Sequence, residues 1–121
     1  MKHVLFGGDG FVGRHLAQKL LADGEEVVVA DIVNDNKSFY RDARIVHCDV
    51  TRPDMVAQVP IAAGDMVYNL SAKMLSPLQV RAKRHDFFYP VNYDGTRNII
   101  EAMDKAGADQ LVHFTTDMIY G

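Results

Sequence analysis

Gly7, Gly8, Gly10 and Gly13 place four glycines within seven residues, directly after the short apolar run Val4-Leu5-Phe6. Gly8-Gly10-Gly13 gives the spacing G-x-G-x-x-G, and Gly7-Gly10-Gly13 equally gives G-x-x-G-x-x-G. Phe11, Val12, His15, Leu16, Lys19 and Leu20 then recur at helical spacing. A strand, a glycine turn and a helix N-terminus together form a phosphate cradle, because unpaired backbone N–H groups and the positive end of the helix dipole face the space above the strand. The glycines let the chain turn tightly and let a pyrophosphate approach where a Cβ would stand in the way. Such a spacing alone is weak evidence, and its context decides. Here Glu26-Val27-Val28-Val29-Ala30 reads as a second strand and ends in Asp31. An acid there, about 20 residues beyond the glycines, is placed to hydrogen-bond the hydroxyls of an adenosine ribose and to repel the extra phosphate of NADP. The implied ligand is a dinucleotide, NAD in preference to NADP; the bland alternative is an ordinary turn and a solvated strand end.

The elements that must hold these residues follow from the rest of the pattern. Residues 2–6 read as the first strand and 11–23 as the first helix, closed by Asp23-Gly24. After the second strand, 26–31, a polar stretch to Arg41 reads as a loop with a short helix around 37–41. Residues 44–48 form a third strand that runs into Asp49-Val50, and Thr51 caps a brief helix with Pro53 in its first turn. Gly64-Asp65 precede a fourth strand at 66–70. A helix is expected after Pro90 through Ala106, or from near Leu78 with a break at Pro90, burying Val91, Ile99, Ile100 and Met103. Gly107 ends it, and 110–115 form a fifth strand. Strands alternating with helices imply an α/β fold with a parallel sheet covered on both faces. Right-handed crossovers then give a doubly wound sheet with strand order 3-2-1-4-5, whose ligands sit at the carboxyl ends of the strands. Those ends carry the glycine loop, Asp31, Asp49, the segment 69–72 and Thr115-Thr116.

Composition excludes several classes. The 121 residues suit one domain, and 48% hydrophobic with 24% charged residues is ordinary for a globular protein. A net charge of −3 gives no reason to invoke nucleic acid or an anionic membrane. The lone Cys48 excludes an internal disulfide and reads as a buried thiol in a reducing compartment. No apolar run has membrane-spanning length, the first glycine comes too early for a signal peptide, and the expected location is cytoplasmic. His3, His15, His47, His85 and His113 have no metal-ligand spacing, so no metal site is expected.

Five signatures together resemble the extended short-chain dehydrogenase/reductases, in the NAD-dependent nucleotide-sugar epimerase/dehydratase group. They are Gly7-Gly8-Asp9-Gly10-Phe11-Val12-Gly13, Asp31, Asp49-Val50, Val67-Tyr68-Asn69-Leu70-Ser71-Ala72 and Val91-Asn92-Tyr93-Asp94-Gly95-Thr96-Arg97-Asn98. Phe114-Thr115-Thr116-Asp117-Met118-Ile119-Tyr120-Gly121 resembles the catalytic Ser/Thr segment of that group. The resemblance implies an NAD site on a Rossmann fold built from Gly7, Gly10, Phe11, Val12, Gly13, Asp31, Asp49, Val50, Leu70, Ser71 and Ala72. It implies that Asn92 helps build the active site and that Thr116 hydrogen-bonds the reacting sugar hydroxyl or ketone. Their partner in such enzymes is a tyrosine of a Tyr-x-x-x-Lys motif, whose lysine lowers the phenol pKa so that the phenolate takes a proton as hydride leaves for NAD. Tyr120 is not that tyrosine, having no lysine after it. The resemblance therefore implies the cofactor-binding part, residues 1–121, of a nucleotide-sugar epimerase or related oxidoreductase, without its substrate domain and inactive by itself.

Several readings stay open at this level. Met118 stands where dehydratases carry a second acid, and a thioether cannot move a proton, which favours epimerase or simple oxidoreductase chemistry. Asp9 inside the glycine loop is expected to face solvent, away from phosphates. Asp49 reads as an adenine neighbour or a helix cap, and Asn92 as an active-site group that also caps. Thr115 and Thr116 also suit a plain strand end. The basic residues at 81–85 read as a solvated helix face or as contacts to a substrate diphosphate. A homodimer or self-association through the 78–106 helical region is expected, with a nucleotide sugar as the parent enzyme's partner. The alternative from another class is a non-catalytic NAD(H)-sensing module, since one fold serves both.

Overall fold

The computed structural model describes residues 1–71 and 90–114, with the side chains of the second stretch from Tyr93 onward. Its strands are β1 (Lys2–Phe6), β2 (Glu26–Asp31), β3 (Arg44–His47), β4 (Met66–Asn69) and β5 (Gln110–His113). The helices are α1 (Phe11–Ala22), α2 (Pro53–Val56) and α3 (Thr96–Ala106), with a 3-10 turn at Lys37–Phe39 and a π-helical turn at Pro90–Gly95. All strand pairings are parallel and the order is β3-β2-β1-β4-β5, as the alternating pattern requires.

Burial on both faces explains the unbroken apolar runs Val4–Phe6 in β1 and Val27–Ala30 in β2. Val4, Phe6, Val28, Ala30 and Val67 point to one face, where Cys48, Val50, Val56, Ile99 and Met103 close over them. Leu5, Val27 and Val29 point to the other, beneath α1 and Tyr40. The period of two in a strand separates the two sets. Strand β3 is the outer strand of this sheet, and Arg44, Ile45 and His47 are exposed. Burial, followed by the charges of Asp49 and Asp31, pushes the Cys48 thiol up to about 11, so it is a neutral, inert thiol.

The amino ends of the strands are fastened by polar contacts. His3 Nε2 donates to Glu25 Oε1 at 3.2 Å, and its Nδ1 meets the Tyr68 hydroxyl at 2.9 Å across the sheet. The hydrogen bond from His3, with the amino terminus next, holds the Glu25 carboxyl below its usual range, while burial raises the Tyr68 phenol. Lys2 Nζ lies 3.2 Å from Asp65 just ahead of β4.

Two expectations about the last helix change. Pro90 is followed by a π-helical turn rather than a regular helix start, and the regular helix begins at Thr96. Ile99 and Met103 are buried, but Ile100, expected beside them, is 49% exposed. At 3.6 residues per turn, positions 99 and 103 share a stripe while 100 is turned about 100° away. The expected start near Leu78, the basic run, and the Thr115–Gly121 segment lie outside the described residues. Among the described residues no helix is long and apolar enough to cross a membrane. Ile99→Ala should cost about 2–5 kcal/mol of stability in urea unfolding, whereas Ile100→Ala should stay within about 0.5 kcal/mol.

Candidate cofactor site

Each strand's ladder continues past its end, which draws the following loops together at one edge of the sheet. Gly7 N donates to Ala30 O at 2.8 Å, Leu70 N to Phe6 O at 2.8 Å, Cys48 N to Asp31 O at 3.0 Å and Phe114 N to Asn69 O at 3.1 Å. The glycine loop, Asp31, Asp49, Leu70-Ser71 and the exit of β5 therefore leave the sheet at neighbouring positions.

The glycine loop itself is steric in origin. Gly7 has φ +78°, and a Cβ there would meet the backbone of Leu70 and Ser71 at 2.7 Å. A Cβ on Gly13 would come within 2.5 Å of Gly8 Cα, so the first turn of α1 sits directly on the loop that feeds it. Gly10 differs: among the described residues the one close neighbour for a Cβ would be Gly7 O at 3.6 Å, an ordinary van der Waals contact. It is the N-cap of α1, with no side-chain cap and no acid in the first turn. The first N–H groups of a helix have no intrahelical acceptor, which leaves those of Phe11, Val12 and Gly13 for an anion. Phe11 and Val12, 71% and 46% exposed, present apolar surface at the same opening.

Asp31 holds the adjoining loop. Its Oδ2 accepts the Asp9 N–H at 2.9 Å, and its Oδ1 accepts the Ile32 N–H at 2.7 Å. The exposed apolar side chains of Ile32 and Val33 follow it immediately.

The expectation that Asp9 faces solvent is wrong: it is 5% exposed. Its carboxylate accepts the backbone N–H groups of Asp35 at 3.2 Å and Asn36 at 2.8 Å, the Asn36 side-chain amide at 3.2 Å, and the Tyr40 hydroxyl. Those donors compensate a buried charge that the glycine loop could not itself satisfy. Burial first, then the hydrogen bond to Asp9 and the charges of Asp9, Asp31 and Asp35, push the Tyr40 phenol well above its ordinary value, so it remains a donor. Asn36 and Tyr40 were not singled out by sequence, where their stretch read as a polar loop with a short helix around 37–41; the helical turn is there, at Lys37–Phe39.

On the other side of β1, Asn69 organises the end of β4. Its Nδ2 donates to Thr96 Oγ1 at 3.0 Å and to His113 Nδ1 at 3.1 Å, and its Oδ1 accepts the Ser71 hydroxyl at 2.6 Å. This ties the 70–71 segment to α3 and β5. Asp49 Oδ1 accepts both the N–H and the hydroxyl of Thr51, at 3.0 and 2.7 Å, closing the turn before α2. Val50 is buried, and its carbonyl accepts from Asn98 Nδ2 at 2.8 Å.

The structure thus brings Gly7, Gly10, Phe11, Val12, Gly13, Asp31, Leu70 and Ser71 to one opening. Asp49 and Val50 follow β3, next to β2 in the sheet. Ala72 and Thr116 lie outside the described residues, as does the Asn92 side chain. Arg14 also escaped sequence reasoning. Its guanidinium carbon lies 5.4 Å from the Phe11 ring and 5.2 Å from that of Phe39, and its buried Nε has no hydrogen-bond partner among the described residues. Gly13→Ala should cost about 1–3 kcal/mol of stability by forcing α1 off the loop. Gly10→Ala should change stability by no more than about 0.5 kcal/mol in the same chemical denaturation.

Comparison with known proteins agrees with this geometry. The model of the NAD dependent epimerase/dehydratase family matches residues 3–121. UDP-N-acetyl-alpha-D-glucosaminuronate decarboxylase of Bacillus cytotoxicus is 27% identical over 123 residues, covering 98% of this chain and 37% of that protein. Human sterol-4-alpha-carboxylate 3-dehydrogenase, decarboxylating, is 33% identical over 113 residues, covering 90% of this chain and 27% of its own length. Among solved structures, a UDP-galactose 4-epimerase superposes with a TM-score of 0.81 at 27% identity, over 100% of this chain and 40% of that one. A Thermus thermophilus UDP-glucose 4-epimerase in complex with NAD gives 0.74 at 25% identity, over 92% and 36%. The matched region is thus well under half the length of each of these proteins. With that family's model matching nearly its whole length, this chain belongs to the NAD dependent epimerase/dehydratase family.

Proposed function

We propose that this chain is the cofactor-binding portion of an NAD-dependent nucleotide-sugar epimerase or related oxidoreductase. The observation that carries the reading is the steric cradle. Gly7 and Gly13 exclude any side chain, while among the described residues nothing crowds Gly10 and no side chain caps the first turn of α1. A pyrophosphate fits there against the N–H groups of Phe11, Val12 and Gly13. Asp31, its carboxylate oriented by the Asp9 N–H, takes the ribose hydroxyls, and the exposed Ile32 and Val33 flank the adenine on that side. Val50 and Asp49 border the adenine from β3, and Leu70, Ser71 and Ala72 follow the cofactor toward its reactive end.

Bound NAD supplies hydride acceptance and return at a sugar carbinol. In this reading Thr116 holds the reacting oxygen, and Asn92 helps shape the pocket around it. The network from Asn69 to Thr96, His113 and Ser71 fixes the strand ends from which that pocket is built. Met118, in place of a second acid, favours epimerisation or oxidoreduction over water elimination. Self-association runs through residues 78–106, where Ile100 leaves an apolar side chain half exposed.

Calorimetric titration with NAD and NADP tests the cofactor assignment. The wild-type protein should bind NAD more tightly than NADP. Asp31→Asn should weaken NAD about tenfold, the scale expected for losing hydrogen bonds to a charged group, and should lose most of the preference. A wild-type protein that takes neither nucleotide would contradict the reading.

A further inference from the structure

We infer that Asp9 is a positioning residue for the ribose end of the cofactor, and that its charge helps set the discrimination against a 2′-phosphate. The inference rests on the assignment of Asp31 to the ribose in the proposed function. It goes further by placing part of the selectivity in a residue of the glycine loop.

Three observations carry it. Asp9 links three pieces of chain: it belongs to the loop after β1, its N–H is held by Asp31 Oδ2 at 2.9 Å, and its carboxylate collects the donors of residues 35–40. Asn36 closes the link a second time, its Nδ2 reaching Asp9 O at 3.1 Å. The segment that follows the ribose-binding acid is therefore docked on the glycine loop by contacts within the chain itself. The connection spans 27 residues of sequence between Asp9 and Asn36, so local turn chemistry does not produce it. Finally, Asp31 Oδ2 holds the Asp9 N–H at 2.9 Å and Asp9 Oδ2 holds the Asp35 N–H at 3.2 Å, so three acidic residues meet at this corner of the sheet.

Two consequences follow, and they separate in experiment. Docking lowers the ordering that binding must impose on the ribose side, which favours every dinucleotide equally. Charge acts selectively: a carboxylate held in a poorly solvated position interacts strongly with a neighbouring phosphate, and that repulsion falls only on the 2′-phosphorylated ligand. An Asp9→Asn change keeps the side chain's size but removes the charge and turns an NH2 donor toward one pair of donors, either Asn36 N–H with the Tyr40 hydroxyl or Asp35 N–H with Asn36 Nδ2. Tyr40→Phe removes one donor and keeps the charge.

The test is titration of the intact protein and both variants with NAD and NADP under identical salt. For Asp9→Asn, NAD binding should weaken about tenfold while NADP weakens by much less, narrowing the ratio of the two dissociation constants at least about threefold. For Tyr40→Phe, both ligands should weaken together by roughly threefold to fivefold, with the ratio unchanged. An equal loss of both ligands in Asp9→Asn would overturn the inference, since scaffolding alone predicts that result. Unchanged affinities in Asp9→Asn would overturn it too. If Asp9→Asn does not fold, Tyr40→Phe decides: unaltered NAD affinity, or a shifted ratio, contradicts the proposed division of roles. Failure of the wild-type protein to bind either nucleotide would overturn the ribose assignment and this inference with it.

Discussion

Everything at the carboxyl edge of the sheet depends on how closely α1 starts against the loop that feeds it. Gly13 rests on the Gly8 backbone and Gly7 on the Leu70–Ser71 backbone, both at distances no side chain permits. The loop is thereby clamped between its own helix and the strand exit of β4. That clamp fixes the direction of the first turn of α1, whose leading N–H groups have no intrahelical acceptor. Packing and recognition are here one constraint, because the contact that excludes a methyl group also orients the donors.

The second layer is polar and reaches further along the chain. Asp31 accepts the Asp9 N–H, and Asp9 in turn gathers the 35–40 segment, so the loops after β1 and β2 form one unit. On the far side of β1, Asn69 performs a comparable role for β4, β5 and α3. Each network is centred on a buried residue, Asp9 or Asn69, that is well provided with partners, which is the condition under which such groups rigidify a site rather than weaken it. Asp9 and Tyr40 join the two loops through a buried hydrogen bond, and Arg14 packs beside them against Phe11 and Phe39.

Much of the fold was legible because the relevant signals are local. The apolar runs of β1 and β2, the glycine spacing and the acid at Asp31 fall within about 30 residues of one another, the length of a single strand–helix–strand unit. Handedness then left little freedom in the strand order. Asp9 was misread because its partners lie 26 to 31 residues away in sequence, and nothing near it announces a buried carboxylate. Ile100 was misread because an apolar residue beside a buried one on a helix looks like core until the rotation between them is considered. Tyr40 looked like the end of a polar loop, yet it is fully buried beneath the α1 side of the sheet. The π-helical turn after Pro90 carries no distinct sequence pattern, since proline there is compatible with a helix start as well.

The central claim is that the α1 first turn, Asp31 and the 70–71 segment form one dinucleotide site. Amide chemical shifts of the isotope-labelled protein, followed while NAD is added, test it most directly. The expected result is a set of large, saturable shifts at Gly10 to Gly13, at Asp31 to Val33 and at Leu70-Ser71, with the amides of the amino-end cluster around His3 and Glu25 unmoved. Saturable shifts confined to the amino end of the sheet, or to the exposed face of α3, would contradict the claim.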